Sequence, residues 1–190
     1  MGNLSVIGGK VGGFNLKSVP GDRTRPVMSI VKEAVFNIVA PYILDSSWLD
    51  LFAGTGSVGI EALSRGADYA CFLDNQRAAV DTIHANLDHT GLSEQADVWQ
   101  TDAFGYLQGA PNRKYDFIYV APPQYHGLWM KALDRIDQNP SWLYGDGWVI
   151  VQIDKTEYDP RDLENMHLFD SRKYGSTQVL FYALNEVDGA

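Results

Sequence analysis

From residue 47 onward, short apolar runs alternate with amphipathic stretches. Seven runs rich in β-branched and aromatic residues read as strands: Trp48–Ala53, Tyr69–Asp74, Ala96–Thr101, Tyr115–Ala121, Gly147–Ile153, Leu168–Lys173 and Gln178–Leu184. Helical spacing fits Ser57–Ser64, Gln76–His89, Ala103–Leu107 and Leu128–Asp137. Further upstream, Ile30, Val31, Ala34, Val35, Ile38 and Val39 fall on one face of a helix spanning Met28 to Ala40, which Pro41 ends. The first 20 residues hold five glycines between the short apolar pieces Leu4–Ile7 and Val11–Leu16, the pattern of a small hairpin.

Repeated β–α alternation predicts a mainly parallel sheet with helices on both faces. The last two strands are separated only by Tyr174-Gly175-Ser176, too short for a crossover helix, so they must pair antiparallel. A seven-stranded α/β sheet of this kind collects ligands at the carboxyl ends of its first strands. The expected organisation is an extension over 1–44 (hairpin plus helix) and an α/β domain over 45–190.

The densest chemistry lies in Asp50-Leu-Phe-Ala-Gly-Thr-Gly-Ser-Val-Gly59, where a strand gives way to a helix. Gly54 and Gly56 let the backbone turn and approach a ligand, and the following helix offers unpaired N–H groups. Gly54 to Gly59 also fits the dinucleotide fingerprint, with Asp74 placed to bind a ribose. Asp50 opposes that reading, because a carboxylate beside the loop repels a pyrophosphate. It welcomes a cation instead. S-adenosylmethionine has an ammonium, a sulfonium and a ribose diol, which suit Asp50, the glycine loop and Asp74 in turn. A dinucleotide site and a plain strand-to-helix turn capped by Ser57 remain the alternatives.

A formal net charge of −9 argues against a nucleic-acid binder, but its distribution softens the argument. Residues 1–44 carry Lys10, Lys17, Arg23, Arg25 and Lys32 against Asp22 and Glu33, a net of +3. Such an arm can steer a polyanion to one edge. Cys71 is the only cysteine and sits in an apolar strand, so it reads as core. The four histidines show no metal-ligand spacing. No apolar run is long enough to span a bilayer, and no secretory signal opens the chain; a cytoplasmic monomer is expected.

A second candidate site follows the fourth strand, which breaks into Ala121-Pro122-Pro123-Gln124-Tyr125. Successive prolines fix the backbone and leave carbonyls as acceptors. Rigid acceptors beside a methyl donor suit an exocyclic amine, and Tyr125 can stack on a nucleobase drawn out of its stack. A stiff loop without chemistry is the alternative.

These motifs together resemble the bacterial small-subunit ribosomal RNA guanine-N2 methyltransferase family. The resemblance covers nearly the whole chain: Val6-Ile-Gly-Gly-Lys10, Arg25-Pro26, Lys32-Glu-Ala-Val-Phe-Asn37, Asp50 through Gly66, Asp74-Asn-Gln-Arg-Ala-Ala79, Asp102-Ala103 and Arg172-Lys-Tyr-Gly175. It implies a Rossmann-like class I fold dependent on S-adenosylmethionine. The cofactor would be held by Asp50, Phe52, Gly54, Gly56, Asp74, Asn75, Asp102, Ala103 and Ala121, with Asp102 and Ala103 at the adenine edge. It also implies catalysis by Pro122, Pro123, Gln124 and Tyr125, and a grip on small-subunit rRNA or an assembly particle through Lys10, Arg23, Arg25 and Lys32.

Two departures bear on the chemistry. The family shows Asp-Pro-Pro followed directly by an aromatic, whereas here Ala121 replaces the acid and Tyr125 comes one place late. The Pro122 carbonyl and the Gln124 amide oxygen then stand in for the lost carboxylate. The arm has Val27, Ser29 and Ile30 where the family carries more arginines, which weakens phosphate contacts. Rival readings are a non-catalytic S-adenosylmethionine-binding protein and a methyltransferase acting on DNA adenine or a protein amide.

Overall fold

A computed structural model describes residues 4–21 and 29–186. Seven strands form one sheet: β1 Ser47–Asp50, β2 Tyr69–Asp74, β3 Ala96–Gln100, β4 Tyr115–Val120, β5 Leu143–Asp154, β6 Met166–Tyr174 and β7 Thr177–Leu184. Their order is β3-β2-β1-β4-β5-β7-β6. The first five strands are mutually parallel, and β7 pairs antiparallel with both β5 and β6. The helices are α1 Ser29–Val39, α2 Ser57–Ser64, α3 Arg77–Thr90, α4 Ala103–Gln108 and α5 Leu128–Gln138.

Most element boundaries fall within two residues of the pattern in the sequence. Two do not. β1 stops at Asp50, three residues before the expected Ala53, because Leu51 and Phe52 already turn into the glycine loop. β5 begins at Leu143 rather than Gly147, because Leu143 pairs with Tyr115 and a register shift then brings Trp148 opposite Phe117.

Two apolar layers sandwich the sheet. On one face α1, α2 and α3 cover a row of rings in which Phe36, Trp48 and Phe117 stack at 5.3 and 4.7 Å. On the other face α4 and α5 bury Trp129, Trp142 and Tyr115. Cys71 lies in this second layer, as its strand pattern implied.

The amino-terminal segment folds back on itself. The Val6 N–H donates to the Phe14 carbonyl at 2.9 Å and the Leu16 N–H to the Leu4 carbonyl at 2.7 Å. Glu61, buried in the middle of α2, fixes it in place. Its carboxylate accepts from the Ile7 and Gly8 N–H groups at 2.8 Å each, from Arg65 Nε at 2.7 Å and from Lys32 Nζ at 3.2 Å. Burial holds the Lys32 ammonium below its ordinary pKa while Glu61 pulls it up.

This corrects the expectation that Lys32 grips RNA. Its side chain is 1% exposed and donates to Glu61 and the Ser5 carbonyl, so it cannot reach a phosphate. The reason is tertiary: α1 presents Lys32 to α2, where a buried carboxylate waits. Arg23 and Arg25 lie outside the described residues. Lys10 is exposed and donates to Gln95 Oε1 at 2.7 Å.

Candidate functional site

Parallel pairing brings the carboxyl ends of β3, β2, β1 and β4 side by side, and the loops leaving them form one edge. Asp50 ends β1 and is 3% exposed. Its pKa is pushed up to about 7, first by burial and then by the nearby Asp74 charge, against backbone hydrogen bonds from Phe52 and Gly59. No cationic side chain is among the causes.

The glycine loop is shaped by Asp74. Its Oδ2 accepts from the Gly54 N–H and its Oδ1 from the Gln76 N–H, both at 2.9 Å. Asp74 thus organises the loop, and each oxygen retains a second lone pair for a hydroxyl. Gly54 has φ +54° and open space where a Cβ would stand, so the backbone there is accessible to a ligand. Gly59 serves packing instead, since a Cβ there would overlap the Phe72 ring, and its absence lets α2 lie close on the sheet. Gly56 caps α2 in the left-handed conformation. Asn86, fully buried in α3, donates to the Thr55 carbonyl at 2.9 Å and bonds both backbone groups of Lys17. The arm and the glycine loop therefore share a hydrogen-bonding side chain.

The other residues expected at the cofactor follow β1, β2 and β3. Asn75 is exposed at the end of β2. The half-buried Phe52 ring meets Phe104 edge-on at 5.9 Å, and Lys131 Nζ sits 4.1 Å from the Phe104 ring centre. Asp102 caps α4 by accepting from the Gly105 N–H at 2.8 Å. The Ala103 side chain is buried.

Beyond β4, Ala121 is half-buried against the ring-lined core and Pro122 is buried. Pro123, Gln124 and Tyr125 are exposed. Tyr119, two residues before Ala121 and on the same face of β4, donates its hydroxyl to Gln152 on β5. Burial and then the Asp50 charge push the Tyr119 pKa up. A neutral Tyr–Gln pair therefore stands on the strands beside the residue that replaces the family's acid.

Sequence reasoning did not find Glu61 as the anchor of the arm. One signal was available: Glu61 is the one charged residue in the otherwise apolar or small stretch Ser57–Ser64, and a lone acid in such a helix demands partners. Gln152 gave no local signal, and neither did Glu157, whose carboxylate accepts from the Tyr125 N–H.

Among the described residues no helix is long and apolar enough to cross a membrane, and no group of acids, histidines and cysteine is placed to hold a metal.

The strand order, the antiparallel β7 and an acid-led glycine loop after β1 define a class I S-adenosylmethionine-dependent methyltransferase fold. Within that class the chain belongs to the family described as conserved hypothetical protein 95, which matches residues 4–183. It is 36% identical over 181 residues to YlbH of Bacillus subtilis, covering 94% of this chain and 98% of that protein. It is 30% identical over 183 residues to ribosomal RNA small subunit methyltransferase D of Escherichia coli K12, covering 95% of this chain and 90% of the other. The solved structure of yhhF from Escherichia coli superposes with a TM-score of 0.83 at 29% identity, covering 96% of this chain and 98% of that one.

Proposed function

We propose that this chain transfers a methyl group from S-adenosylmethionine to an exocyclic amine of ribosomal RNA, with guanine N2 of the small-subunit RNA as acceptor. The observation that carries the cofactor is Asp50: a buried carboxyl at the end of β1, leading into the glycine loop, raised to about 7 with no cationic partner among the described residues. Full-length similarity to a small-subunit rRNA methyltransferase supports the substrate.

The residues present fit the cofactor. Asp50 would take the ammonium, Gly54 and Gly56 the sugar and sulfur side, Asp74 and Asn75 the diol, Phe52 an apolar flank, and Asp102 with the Ala103 backbone the adenine edge. When bound, the cofactor supplies a methyl on a positively charged sulfur: the amine nitrogen forms the new bond to carbon while sulfur keeps the old bonding pair. The chain's part is positioning and exclusion of water. Pro122 and Pro123 hold the backbone rigid, and the Pro122 carbonyl accepts from the amine's N–H. Gln124 offers a second acceptor, and Tyr125 gives the base a surface to stack on. The amine's proton leaves to water after transfer, because no carboxylate stands at Ala121. Residues 1–44 serve as the RNA-facing extension, with Lys10, Arg23 and Arg25 on phosphates.

The test is methyl transfer from labelled S-adenosylmethionine to unmodified small-subunit RNA and to assembly particles, read by nucleoside mass spectrometry. N2-methylguanosine that is lost in Asp50→Ala is the expected result. S-adenosylhomocysteine binding without any methylated nucleoside overturns the enzyme reading and favours a binding protein, as Ala121 would then explain. A methylated nucleoside other than guanosine overturns the acceptor.

A further inference from the structure

The loop after β4 is tied to the end of β5 by an acid that the chemistry above does not use. Glu157 Oε1 accepts from the Tyr125 N–H at 2.7 Å. Tyr125 has φ +65° and is 67% exposed. A bulky residue resists this left-handed backbone and keeps it where its surroundings impose it. The imposing group is built in stages. Asp154 ends β5, and its Oδ1 accepts from Thr156 N–H at 2.9 Å and Thr156 Oγ1 at 2.7 Å. That bond caps the single 3-10 turn Lys155–Glu157, which aims Glu157 at the loop. The Tyr125 side chain also contributes to holding the Asp154 carboxyl below its ordinary pKa, after the Thr156 hydrogen bonds. Both ends lie at one edge because β4 and β5 are parallel neighbours, with Val120 opposite Val151.

We propose that Glu157 is a positioning residue: its carboxylate fixes the Tyr125 backbone so that the ring stands as the platform for the target base. This rests on the methyltransferase reading of the loop. The bond to a carboxylate is charge-assisted and strong, and it falls on the backbone rather than on the ring. It also answers the sequence departure. Gln124 stands between Pro123 and Tyr125, so the aromatic sits one residue beyond the rigid prolines and gains from another restraint.

The experiment combines kinetics on unmodified small-subunit RNA with the amide resonance of Tyr125 in nitrogen-15-labelled protein. Glu157→Ala lowers kcat about tenfold and raises KM for RNA, a loss of the size that freeing one strained residue allows. S-adenosylhomocysteine affinity and melting temperature stay near wild type. Glu157→Gln, which retains an oxygen acceptor, restores most of kcat. Glu157→Ala adds nothing to Tyr125→Ala, because the two act through one element. Full activity in Glu157→Ala overturns the proposal, as do losses that add to those of Tyr125→Ala. If wild type methylates no RNA, the loop reading beneath it fails, and the Tyr125 amide then judges the tie alone. An amide resonance and exchange rate unchanged by Glu157→Ala overturn it; an upfield shift with faster exchange upholds it.

Discussion

Two buried carboxylates eleven residues apart in sequence follow opposite rules. Glu61, on α2, is fully buried and surrounded by donors: two backbone N–H groups, a guanidinium and an ammonium. Asp50, at the end of β1, is almost as buried, yet has backbone hydrogen bonds and a neighbouring negative charge for company. A buried charge whose partners lie within the chain holds architecture together. One with no such partner among the described residues is a candidate for holding a ligand. The difference separates the arm's anchor from the candidate cofactor site on chemistry that fold alone does not reveal.

The largest effect that can break this contrast is at the anchor. Glu61→Ala leaves Lys32 buried without its counter-charge and two N–H groups without acceptors, a loss of about 3–5 kcal/mol in stability by denaturant unfolding. Loss of S-adenosylhomocysteine binding with unchanged stability would falsify the architectural role. Asp50→Asn should do the reverse. It removes the ammonium's partner and weakens S-adenosylhomocysteine about a hundredfold by calorimetry, while the ligand-free protein gains roughly 1–3 kcal/mol because a desolvated charge is gone.

The pH dependence sharpens the same contrast. The folded Asp50 pKa, about 7, lies above the unfolded value of 3.8, so the folded protein holds this proton more tightly. Asp50 therefore costs the ligand-free fold nothing below the unfolded pKa. The cost grows as pH rises toward 7 and is constant above it. A cationic ligand needs the ionised form. S-adenosylhomocysteine affinity should fall by up to about tenfold per unit as pH drops below 7, with proton release on binding, and this dependence should vanish in Asp50→Asn. A flat profile in wild type rules Asp50 out as the ammonium's partner.

The smallest effect distinguishes two lysines of the arm. Lys10→Gln should reduce the slope of log binding constant against log salt by about 0.7 to 0.9 for RNA, at unchanged melting temperature. Lys32→Gln should lower the melting temperature, since it strips a partner from Glu61. Equal salt effects from both would contradict the burial of Lys32.

The strands and helices were legible along the chain because periods of two and of 3.6 are written residue by residue. The same holds for the glycine loop and Asp50, since a strand, a loop and a helix lie consecutively in residues 47 to 64. Lys32 misled for the converse reason. A cation in a basic arm looks solvated until α1 is seen to press it against Glu61, 29 positions away in the chain. Glu157 was invisible on the same grounds, 32 residues from the amide it holds.

By itself, then, the sequence determined the α/β alternation, the antiparallel carboxyl-terminal pair and the Asp50-to-Gly59 loop. Only the tertiary structure decided which charges face solvent and which are spent inside, and which acid restrains Tyr125. Those outcomes depend on desolvation and on pairing across the sheet, and both are set by distances in space that no local pattern encodes.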